Sequence, residues 1–450
     1  MPGNRRRSRP TEGPIRPTAP TDPPYLYTRR AFGTRSRNAF PHLPDRRPSP
    51  HRDGYLGPRI PDPLPTPASS VRDPLFRPFA RDPSSRRGGT FPDPEIIMQR
   101  TIVTGGAGFI GSNFVRHLLR ESEGEVVVFD KLTYAGSLES LRDVEDHPRY
   151  RFVRGDIAER EDVKALFEEI RPTALVNFAA ESHVDRSIDG PGEFVRTNVV
   201  GTFELLEVSR HYLAERDDAA REAFRFVHVS TDEVYGTLGD EGLFEETTPY
   251  APNSPYAASK ASADHLVRAY VHTYGLDAVI TNCSNNYGPY QFPEKLIPLC
   301  INNIKSNQPL PVYGEGTNVR DWLYVEDHVE AIDLLYHQGV AGETYNIGGG
   351  NQWQNIDLVK LLCDIMDERL DNPAGTSQKL ITLVKDRPGH DQRYAMDINK
   401  ISQSFGWTPQ TDLAAGLALT VDWYLQNEQW LHHVTSGQYL NYYEQQYSNR

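Results

Sequence analysis

The chain has 450 residues, of which 38% are hydrophobic, and a formal net charge of −13 at pH 7. No apolar run approaches the ~18 residues that a membrane-spanning helix needs. Its three cysteines are dispersed, without the spacing of a metal site or of a disulfide framework. These features argue against a membrane protein and a disulfide-rich secreted domain. The acidic balance disfavours nonspecific binding of nucleic acid. We therefore expect a cytoplasmic protein with neither a nucleic-acid nor a membrane partner.

Residues 1–97 differ from the rest of the chain in composition. They contain 21 of the 35 prolines, 18 arginines, no lysine and nine acidic residues, so their net charge is +9 and that of the remainder is −22. Such a Pro/Arg-rich segment, with little apolar periodicity, predicts a disordered extension. Binding of a polyanion is an alternative, although no aromatic–basic module is evident. Because Met98 immediately precedes the first predicted strand, we expect it to be the natural start and residues 1–97 to be an extension that is rarely translated.

A glycine-rich turn follows the first predicted strand, residues 101–103. Glycines recur at Gly105, Gly108 and Gly111, and apolar periodicity then resumes, as a helix requires. Glycines allow a tight turn and let a pyrophosphate approach the helix N-terminus. The next predicted strand ends at Asp130, whose carboxylate can accept a hydrogen bond from a ribose 2′-hydroxyl and would repel a 2′-phosphate. This order of elements predicts an NAD site rather than a glycine-rich turn without a cofactor.

Tyr256 and Lys260 are four residues apart, so they would share one face of a helix that begins at Pro255. A nearby lysine favours the phenolate, and we therefore expect the pKa of Tyr256 to be lowered. The phenolate could then take the proton of a sugar hydroxyl as hydride leaves the carbon. Ser230 or Thr231, at the end of a predicted strand, could complete the proton path.

Two adjacent carboxylates, Asp232 and Glu233, directly follow the apolar strand predicted at 224–230. A plain alcohol dehydrogenase does not need them, but an acid and a base together can remove water. Neighbouring carboxyls in a partly dry pocket resist double ionisation, so one can be protonated while the other is ionised. A solvated acidic turn is the usual role of such a pair. The position after a buried strand favours a dehydratase instead.

Several motifs run in order from residue 100 to the C-terminus and are more specific together than any one alone. They are Gly105–Gly111, Asp130–Gly136, Ala179–His183, Thr231–Glu233, Tyr256–Lys260, Asn282–Lys295, Arg320–Trp322 and Asp386–His390. With these motifs the chain resembles the extended short-chain dehydrogenase/reductase superfamily and, within it, the family of dTDP-glucose 4,6-dehydratases.

The resemblance implies a reaction in three steps. Tyr256 removes the C4 hydroxyl proton while hydride passes from C4 to NAD. Glu233 then removes the C5 proton, and Asp232 protonates the departing C6 hydroxyl. Hydride returns to C6, which gives a 4-keto-6-deoxy sugar and regenerates the tightly bound NAD. Thr231 and Lys260 complete the implied catalytic set.

The resemblance also implies two sets of binding residues. The cofactor set is Gly105, Gly108, Phe109, Ile110, Gly111, Asp130, Lys131, Thr133, Asp156, Ile157, Ala179, Ala180, Ser182, Thr197, Tyr256, Lys260 and Asn286. The substrate set is Ser182, His183, Thr231, Asn285, Lys295, Leu296, Pro311, Tyr313, Arg320, Asn355, Arg387 and His390. We expect no metal, because no second ligand lies at zinc-like spacing from His183.

Alternating strand and helix signals from residue 101 to about 282 predict an α/β fold with a Rossmann-type, doubly wound parallel sheet. Later strands are predicted at 151–153, 174–178, 224–230 and 278–283. We expect an NAD-binding domain at 98–283 and a smaller α/β substrate-binding cap, mainly at 284–450, with some segments returning to the core. The resemblance implies a homodimer joined through a bundle of helices at 192–211 and 255–274, although their apolar faces could also pack within one subunit.

Three alternatives remain. A nucleotide-sugar 4-epimerase would share the glycines and Tyr256, but usually has small residues where Asp232 and Glu233 stand. A GDP-mannose-type dehydratase normally lacks the aspartate and prefers NADP, which Asp130 disfavours. A non-catalytic NAD-sensing protein would be expected to lose Tyr256, Lys260 or the carboxylates, and all are present. The preference between dTDP- and UDP-glucose stays open.

Overall fold

A computed structural model describes residues 99–435. The predicted disordered extension and the proposed start at Met98 lie outside the described residues, as does the segment 436–450. Within 99–435, no helix is long and apolar enough to cross a membrane.

The described residues form twelve strands and thirteen α-helices. The strands are Arg100–Thr104 (β1), Glu125–Asp130 (β2), Tyr150–Arg154 (β3), Ala174–Asn177 (β4), Arg225–Thr231 (β5), Ala278–Cys283 (β6), Asn285–Tyr287 (β7), Leu310–Tyr313 (β8), Val319–Tyr324 (β9), Thr344–Ile347 (β10), Gln352–Gln354 (β11) and Ile381–Val384 (β12). The α-helices are Phe109–Glu121 (α1), Arg160–Ile170 (α2), Val184–Asp189 (α3), Pro191–Phe194 (α4), Thr202–Ala214 (α5), Asp218–Ala223 (α6), Pro255–Tyr274 (α7), Leu296–Lys305 (α8), Val325–Gln338 (α9), Asn355–Arg369 (α10), Asn399–Phe405 (α11), Leu413–Gln426 (α12) and Glu428–Val434 (α13).

Seven strands form the central sheet, in the order β10-β6-β5-β4-β1-β2-β3, and every pairing in it is parallel. The order reverses direction between β1 and β4, so the carboxyl ends of these two strands flank a crevice. Open α/β sheets bind their ligands at such a switch point. The predicted Rossmann-type sheet is confirmed, and each predicted strand agrees with the observed one to within a residue or two.

Two apolar clusters cover the two faces of the sheet. Successive residues of a strand point to opposite faces, and accordingly Val103 belongs to one cluster and Ile102 to the other. Helices α1 and α9 pack in the cluster of Val103, whereas α2, α5 and α7 pack in that of Ile102. Burial on both faces explains why β2 and β4 are mostly apolar rather than alternating apolar and polar.

The predicted helix at 192–211 is helical but not uniform. A π-helical turn at Val195–Gly201 separates α4 from α5. Within this turn the Asn198 amide donates to Ser259 Oγ and accepts from the backbone N–H of Glu181. Single π-turns often occur at functional sites, and this one holds the loop after β4 against α7.

A third apolar cluster lies apart from the sheet. It contains residues of α8, α10 and α12, together with Leu310 of β8 and Trp322 of β9. Two small sheets accompany it, β11-β9-β7 and β12-β8. Later segments also join the main sheet, since β10 pairs with β6 and α9 packs in the cluster of Val103. The domain boundary at residue 283 stays a prediction.

Candidate active site

One cleft opens at the carboxyl ends of β1, β2, β4, β5 and β6. All seventeen predicted cofactor residues line it: Gly105, Gly108, Phe109, Ile110, Gly111, Asp130, Lys131, Thr133, Asp156, Ile157, Ala179, Ala180, Ser182, Thr197, Tyr256, Lys260 and Asn286. The predicted catalytic residues Thr231, Asp232 and Glu233 line the same cleft. Residues of the two predicted groups therefore share one site.

The glycine loop between β1 and α1 leaves no room for larger residues. Gly105 has φ of +67°, and a Cβ there would lie 2.6 Å from the Ala179 nitrogen. A Cβ on Gly111 would lie 2.4 Å from the Gly105 carbonyl oxygen. Backbone that can pass so close to neighbouring backbone can also approach a pyrophosphate at the N-terminus of α1. The loop therefore fits a dinucleotide.

Asp130 supports this loop from the end of β2. Its Oδ2 accepts a hydrogen bond of 3.1 Å from the Ala107 N–H, and its Oδ1 accepts one of 2.8 Å from the Leu132 N–H. Burial raises the pKa of this carboxyl, against the opposing effect of the two N–H donors. Asp130 also lines the cleft, so the expected contact with a ribose hydroxyl is sterically open.

The catalytic carboxylates lie in a 3₁₀ turn, Asp232–Tyr235, that begins where β5 ends. The Thr231 hydroxyl caps this turn by accepting from the Glu233 N–H, and it donates to Asp232 Oδ1. It is also close enough to Tyr256 to lower the pKa of that phenol, against the effect of burial. Ser230, the other hydroxyl considered, donates to Asp264 instead. Thr231 is therefore the hydroxyl that contacts the catalytic carboxylates.

The two carboxylates have different surroundings. Burial raises the pKa of Asp232 well above its ordinary value, and the charge of Glu233 raises it further. Burial also raises the pKa of Glu233, but Arg387, Lys295 and Arg320 oppose that effect. The surroundings of Asp232 therefore favour its protonated form, whereas at Glu233 three cations act against the effect of burial. Asp232 Oδ2 is buried and has no hydrogen-bond partner among the described residues, so it is free to donate to a ligand.

The expected lowering of the Tyr256 pKa is wrong in this structure. Burial raises that pKa well above its usual value of 10, and the charge of Glu233 is the next largest cause. Lys260 lies one turn further along α7, but its ammonium donates to the Val229 carbonyl oxygen at 2.7 Å. Burial together with a neighbouring carboxylate outweighs the lysine.

The predicted substrate residues fall into two groups. Four of them, Ser182, Thr231, Asn285 and Lys295, line the cleft, and the Lys295 ammonium donates to the Ser182 carbonyl oxygen at 2.9 Å. The other eight lie outside this lining: His183, Leu296, Pro311, Tyr313, Arg320, Asn355, Arg387 and His390.

Several residues of the second group still act on the catalytic carboxylates or meet one another. Arg320 and Arg387 are close enough to Glu233 to influence its pKa. The Tyr313 ring meets His390 edge-on at 6.1 Å. Buried polar atoms without a hydrogen-bond partner among the described residues include Asn285 Oδ1, Asn355 Oδ1 and Arg387 Nε. Since buried polar atoms are normally paired, these three suit a polar ligand.

His183 is fully enclosed at the N-terminus of α3, where its ring accepts from the Arg186 N–H. Burial holds its pKa well below the ordinary value, and the charges of Lys295 and Arg186 act in the same direction. A neutral imidazole can serve as a hydrogen-bonding group beside the sugar without adding a charge. Leu296 is the first residue of α8, and Pro311 lies within β8.

Four residues that the sequence analysis did not assign form a clamp at the rim of the cleft. We call Tyr134, Arg186, Phe292 and Glu294 the Tyr134 clamp. The Arg186 guanidinium lies 3.8 Å from the Tyr134 ring centroid, and its Nε lies 3.1 Å from Glu294 Oε2. The Tyr134 ring meets Phe292 edge-on. Tyr134, Phe292 and Glu294 lie inside the quoted motifs, which was the signal available in the sequence.

Comparison with known proteins agrees with this geometry. A family model described as GDP-mannose 4,6 dehydratase matches residues 102–420. The chain is 56% identical over 346 residues to the dTDP-glucose 4,6-dehydratase of Neisseria meningitidis serogroup B, which covers 76% of this chain and 98% of that one. It is 53% identical over 361 residues to the enzyme of that name from Salmonella typhimurium, covering 78% of this chain and 99% of that one.

Solved structures give the same result. The crystal structure of DesIV, a dTDP-glucose 4,6-dehydratase from Streptomyces venezuelae with NAD and TYD bound, is 47% identical, has a TM-score of 0.68 and covers 75% of this chain and all of that one. A UDP-glucose 4-epimerase of Thermus thermophilus in complex with NAD is 31% identical, with a TM-score of 0.64, covering 73% of this chain and all of that one.

Fold and site together define an NAD-dependent enzyme of the short-chain dehydrogenase/reductase type. The chain is more than 50% identical to several dehydratases but 31% identical to the epimerase, so within this class it groups with the dehydratases. The chain belongs to the dTDP-glucose 4,6-dehydratase family.

Proposed function

We propose that the protein converts dTDP-glucose to dTDP-4-keto-6-deoxyglucose by eliminating water across C5 and C6. The observation that carries this proposal is the pair Asp232 and Glu233. The pair lies in the cleft beside Tyr256; burial and the charge of Glu233 raise the pKa of Asp232, whereas Arg387 and Lys295 act against burial at Glu233. An epimerase needs no such acid–base pair. NAD supplies, when bound, the centre that accepts a hydride from C4 and returns it to C6.

The first step needs a base for the C4 hydroxyl proton, and we assign it to Tyr256. Its side chain lines the cleft together with Thr231, Asp232 and Glu233, which places it beside the carboxylates. Because burial raises the Tyr256 pKa, ionisation of the phenol depends on positive charge at the site. Lys260, one helical turn away on α7, brings such a charge to the floor of the cleft.

Glu233 and Asp232 carry the elimination. Once C4 is a ketone, the C5 proton is acidic and Glu233 removes it, since Arg387, Lys295 and Arg320 favour its ionised form. Asp232 is protonated and gives its proton to the departing C6 hydroxyl. When hydride reaches C6, Glu233 returns its proton to C5, which completes the 4-keto-6-deoxy sugar. The two roles follow from the different surroundings of two neighbouring carboxyls, a common arrangement for acid–base pairs.

The same three cations suit a diphosphate. Arginine offers a planar fork of donors to phosphate oxygens and lysine offers a point charge. Arg387 Nε is buried without a partner among the described residues, so one donor is available for a substrate oxygen. We assign Lys295, Arg320 and Arg387 to the sugar nucleotide, and Tyr313, Asn355 and His390 to the region of its base and ribose. Leu296 and Pro311 would contribute contacts at the edge of that region.

We also propose a cytoplasmic homodimer. Support comes from the helical surface around the π-turn, where Val195 is 52% and Val200 is 40% exposed, and from Tyr274 at the end of α7, which is 53% exposed. Apolar side chains left exposed on neighbouring helices suit a helix bundle between two copies. Light scattering of the purified chain would measure a mass of two chains if this is right and of one chain if it is wrong.

Mass spectrometry of the recovered nucleotide tests the proposed reaction. The purified full chain is incubated with dTDP-glucose without added reductant, and Asp232→Asn serves as the control. Loss of one water, with a product that borohydride reduces at C4, is expected for the natural sequence alone. Recovery of the galactose isomer would establish the epimerase instead. If dTDP-glucose is unchanged but UDP-glucose is turned over, the substrate is UDP-glucose instead.

A further inference from the structure

A largely buried polar network lies beneath the catalytic residues, between β4, β5 and α7. Its centre is Asp264, which stands one helical turn beyond Lys260 on α7 and is 0% exposed. Asp264 is not part of the cleft lining, so it contacts neither cofactor nor substrate. The reaction described above does not use it, and a fully buried carboxylate is costly unless something compensates its charge.

Two hydroxyl groups donate hydrogen bonds to the Asp264 carboxylate. Ser230 Oγ donates to its Oδ2 at 2.7 Å and the Tyr250 hydroxyl donates to the same oxygen at 3.0 Å. His228 Nε2 lies 3.3 Å from the other oxygen, Oδ1, but neither atom has a hydrogen-bond partner among the described residues. The two hydroxyl donors converge on one oxygen of a fully buried carboxyl group.

The tautomer of His228 follows from its neighbours. Thr104 Oγ1 donates to Asn177 Oδ1 at 2.6 Å, which leaves the Asn177 amide nitrogen facing His228 Nδ1 at 3.2 Å. Nδ1 must therefore accept, and the ring proton sits on Nε2, the nitrogen that faces Asp264. Burial lowers the pKa of His228, and the charge of Lys260 lowers it further. His228 is thus neutral and does not balance the charge of Asp264.

Lys260 is the cation of this network. It is 4% exposed, and its ammonium donates to the Val229 carbonyl oxygen. Burial lowers its pKa, whereas Asp264 and Cys283 act in the opposite direction. The Cys283 thiol has a pKa raised to about 12 by burial, so it is neutral near pH 7. Of these two groups, Asp264 is therefore the one that can carry a negative charge.

We propose that Asp264 is the fixed counter-charge of Lys260, a positioning residue that keeps the ammonium charged and directed at the floor of the cleft. Ser230 and Tyr250 hold the carboxylate in place as neutral donors. This inference rests on the proposed function only for the role of Lys260 in catalysis. The two groups form no direct ion pair; they lie one turn apart on α7, both are buried, and they contact consecutive residues of β5, Val229 and Ser230.

The first test is the pH profile of turnover. Asp264→Asn removes the negative charge but keeps the shape of the side chain, so Lys260 should lose its proton at a lower pH. The alkaline limb of kcat should move down by about 1–3 pH units, with recovery toward the natural rate as the pH falls. The control is Tyr250→Phe, which removes one neutral donor and should leave the limb within a few tenths of a unit. A limb unmoved in Asp264→Asn, or a rate reduced equally at every pH, would overturn the proposal.

The second test does not use activity and so separates this inference from the proposed reaction. Lys260→Met and Asp264→Asn each leave one buried partner uncompensated, and each should lower the melting temperature. The double variant leaves no charge behind and should melt above both single variants. If Asp264→Asn alone does not fold, the double variant still should. Losses that simply add, or a double variant that does not fold, would show that the two side chains are independent.

Discussion

The cofactor end and the substrate end of the cleft are built in different ways. The cofactor end consists of loops that directly follow β1, β2 and β4, and its key contacts are made by backbone, as at Gly105. The substrate end collects charges from separate segments, namely Lys295, Arg320 and Arg387, which meet around Glu233. The cofactor end therefore depends on the path of the backbone, whereas the substrate end depends on the balance of buried charges. Changes at the two ends should therefore have different signatures.

The largest loss of turnover is expected for the catalytic carboxylates, which lie where the cofactor end and the substrate end of the cleft meet. Glu233→Gln should lower turnover by roughly 10²–10⁴-fold, because a general base is lost, while oxidation at C4 continues. Reduced cofactor should then build up during a single turnover, which absorbance at the NADH band measures. Asp232→Asn should behave likewise, since its loss stops the departure of the C6 hydroxyl. Full activity in either variant would remove the acid–base pair from the mechanism.

The second largest effect is expected at the cofactor end of the cleft and concerns the retention of NAD. Gly105→Ala would place a Cβ 2.6 Å from the Ala179 nitrogen at φ of +67°, at a cost of about 1–2 kcal/mol for the backbone conformation alone. We expect weaker NAD retention by at least about tenfold, measured by the fraction of cofactor that stays with the protein through gel filtration. Gly192→Ala is the control, because a Cβ there meets nothing within 4 Å. Equal retention in both variants would contradict the close approach inferred for this loop.

The third largest effect is expected at the substrate end of the cleft, where a lysine influences the pH dependence of activity. Replacing Lys295 by Met removes a charge that favours ionised Glu233, so the pKa of Glu233 should rise. A base acts when ionised, which means that activity is present above its pKa and lost as the pH falls through it. The acid limb of kcat/KM should move to higher pH by about one unit, and KM for the sugar nucleotide should rise. Lys360→Met, at an exposed surface pair, should change neither quantity.

The smallest effect is expected from the Tyr134 clamp. Arg186→Met removes the contact with the Tyr134 ring and the ion pair with Glu294, worth about 1–2 kcal/mol together. NAD should dissociate several-fold faster, measured by exchange with labelled cofactor, with kcat little changed. Arg116 offers a matched control, since its guanidinium also lies 3.8 Å from a tyrosine ring, that of Tyr290, outside the cleft lining. Equal exchange rates for the natural chain and Arg186→Met would show that the clamp does not retain NAD.

The sequence predicted the cofactor end well because local patterns determine it. Buried parallel strands are rich in apolar residues, so β1, β2 and β6 could be located, and the glycines between β1 and α1 specify one backbone path. The tyrosine–lysine spacing likewise placed both residues on α7.

The electrostatics could not be predicted in the same way. The Tyr256 pKa is raised because burial and Glu233 outweigh Lys260, and neither burial nor the direction of the lysine toward Val229 follows from spacing. The Tyr134 clamp and Asp264 depend on contacts between segments distant in sequence. The roles of the predicted substrate residues, including Pro311 and Leu296 outside the cleft lining, stay predictions.

The most direct test of the account uses dTDP-glucose that carries deuterium at C4. Hydride taken from C4 and returned to C6 of the same sugar should give a 4-keto-6-deoxy product with the deuterium at C6, after loss of unlabelled water, without added reductant. Mass spectrometry and NMR of the product measure both features. Deuterium washed out to solvent, or a sugar that keeps its oxygen at C6, would contradict the proposed reaction.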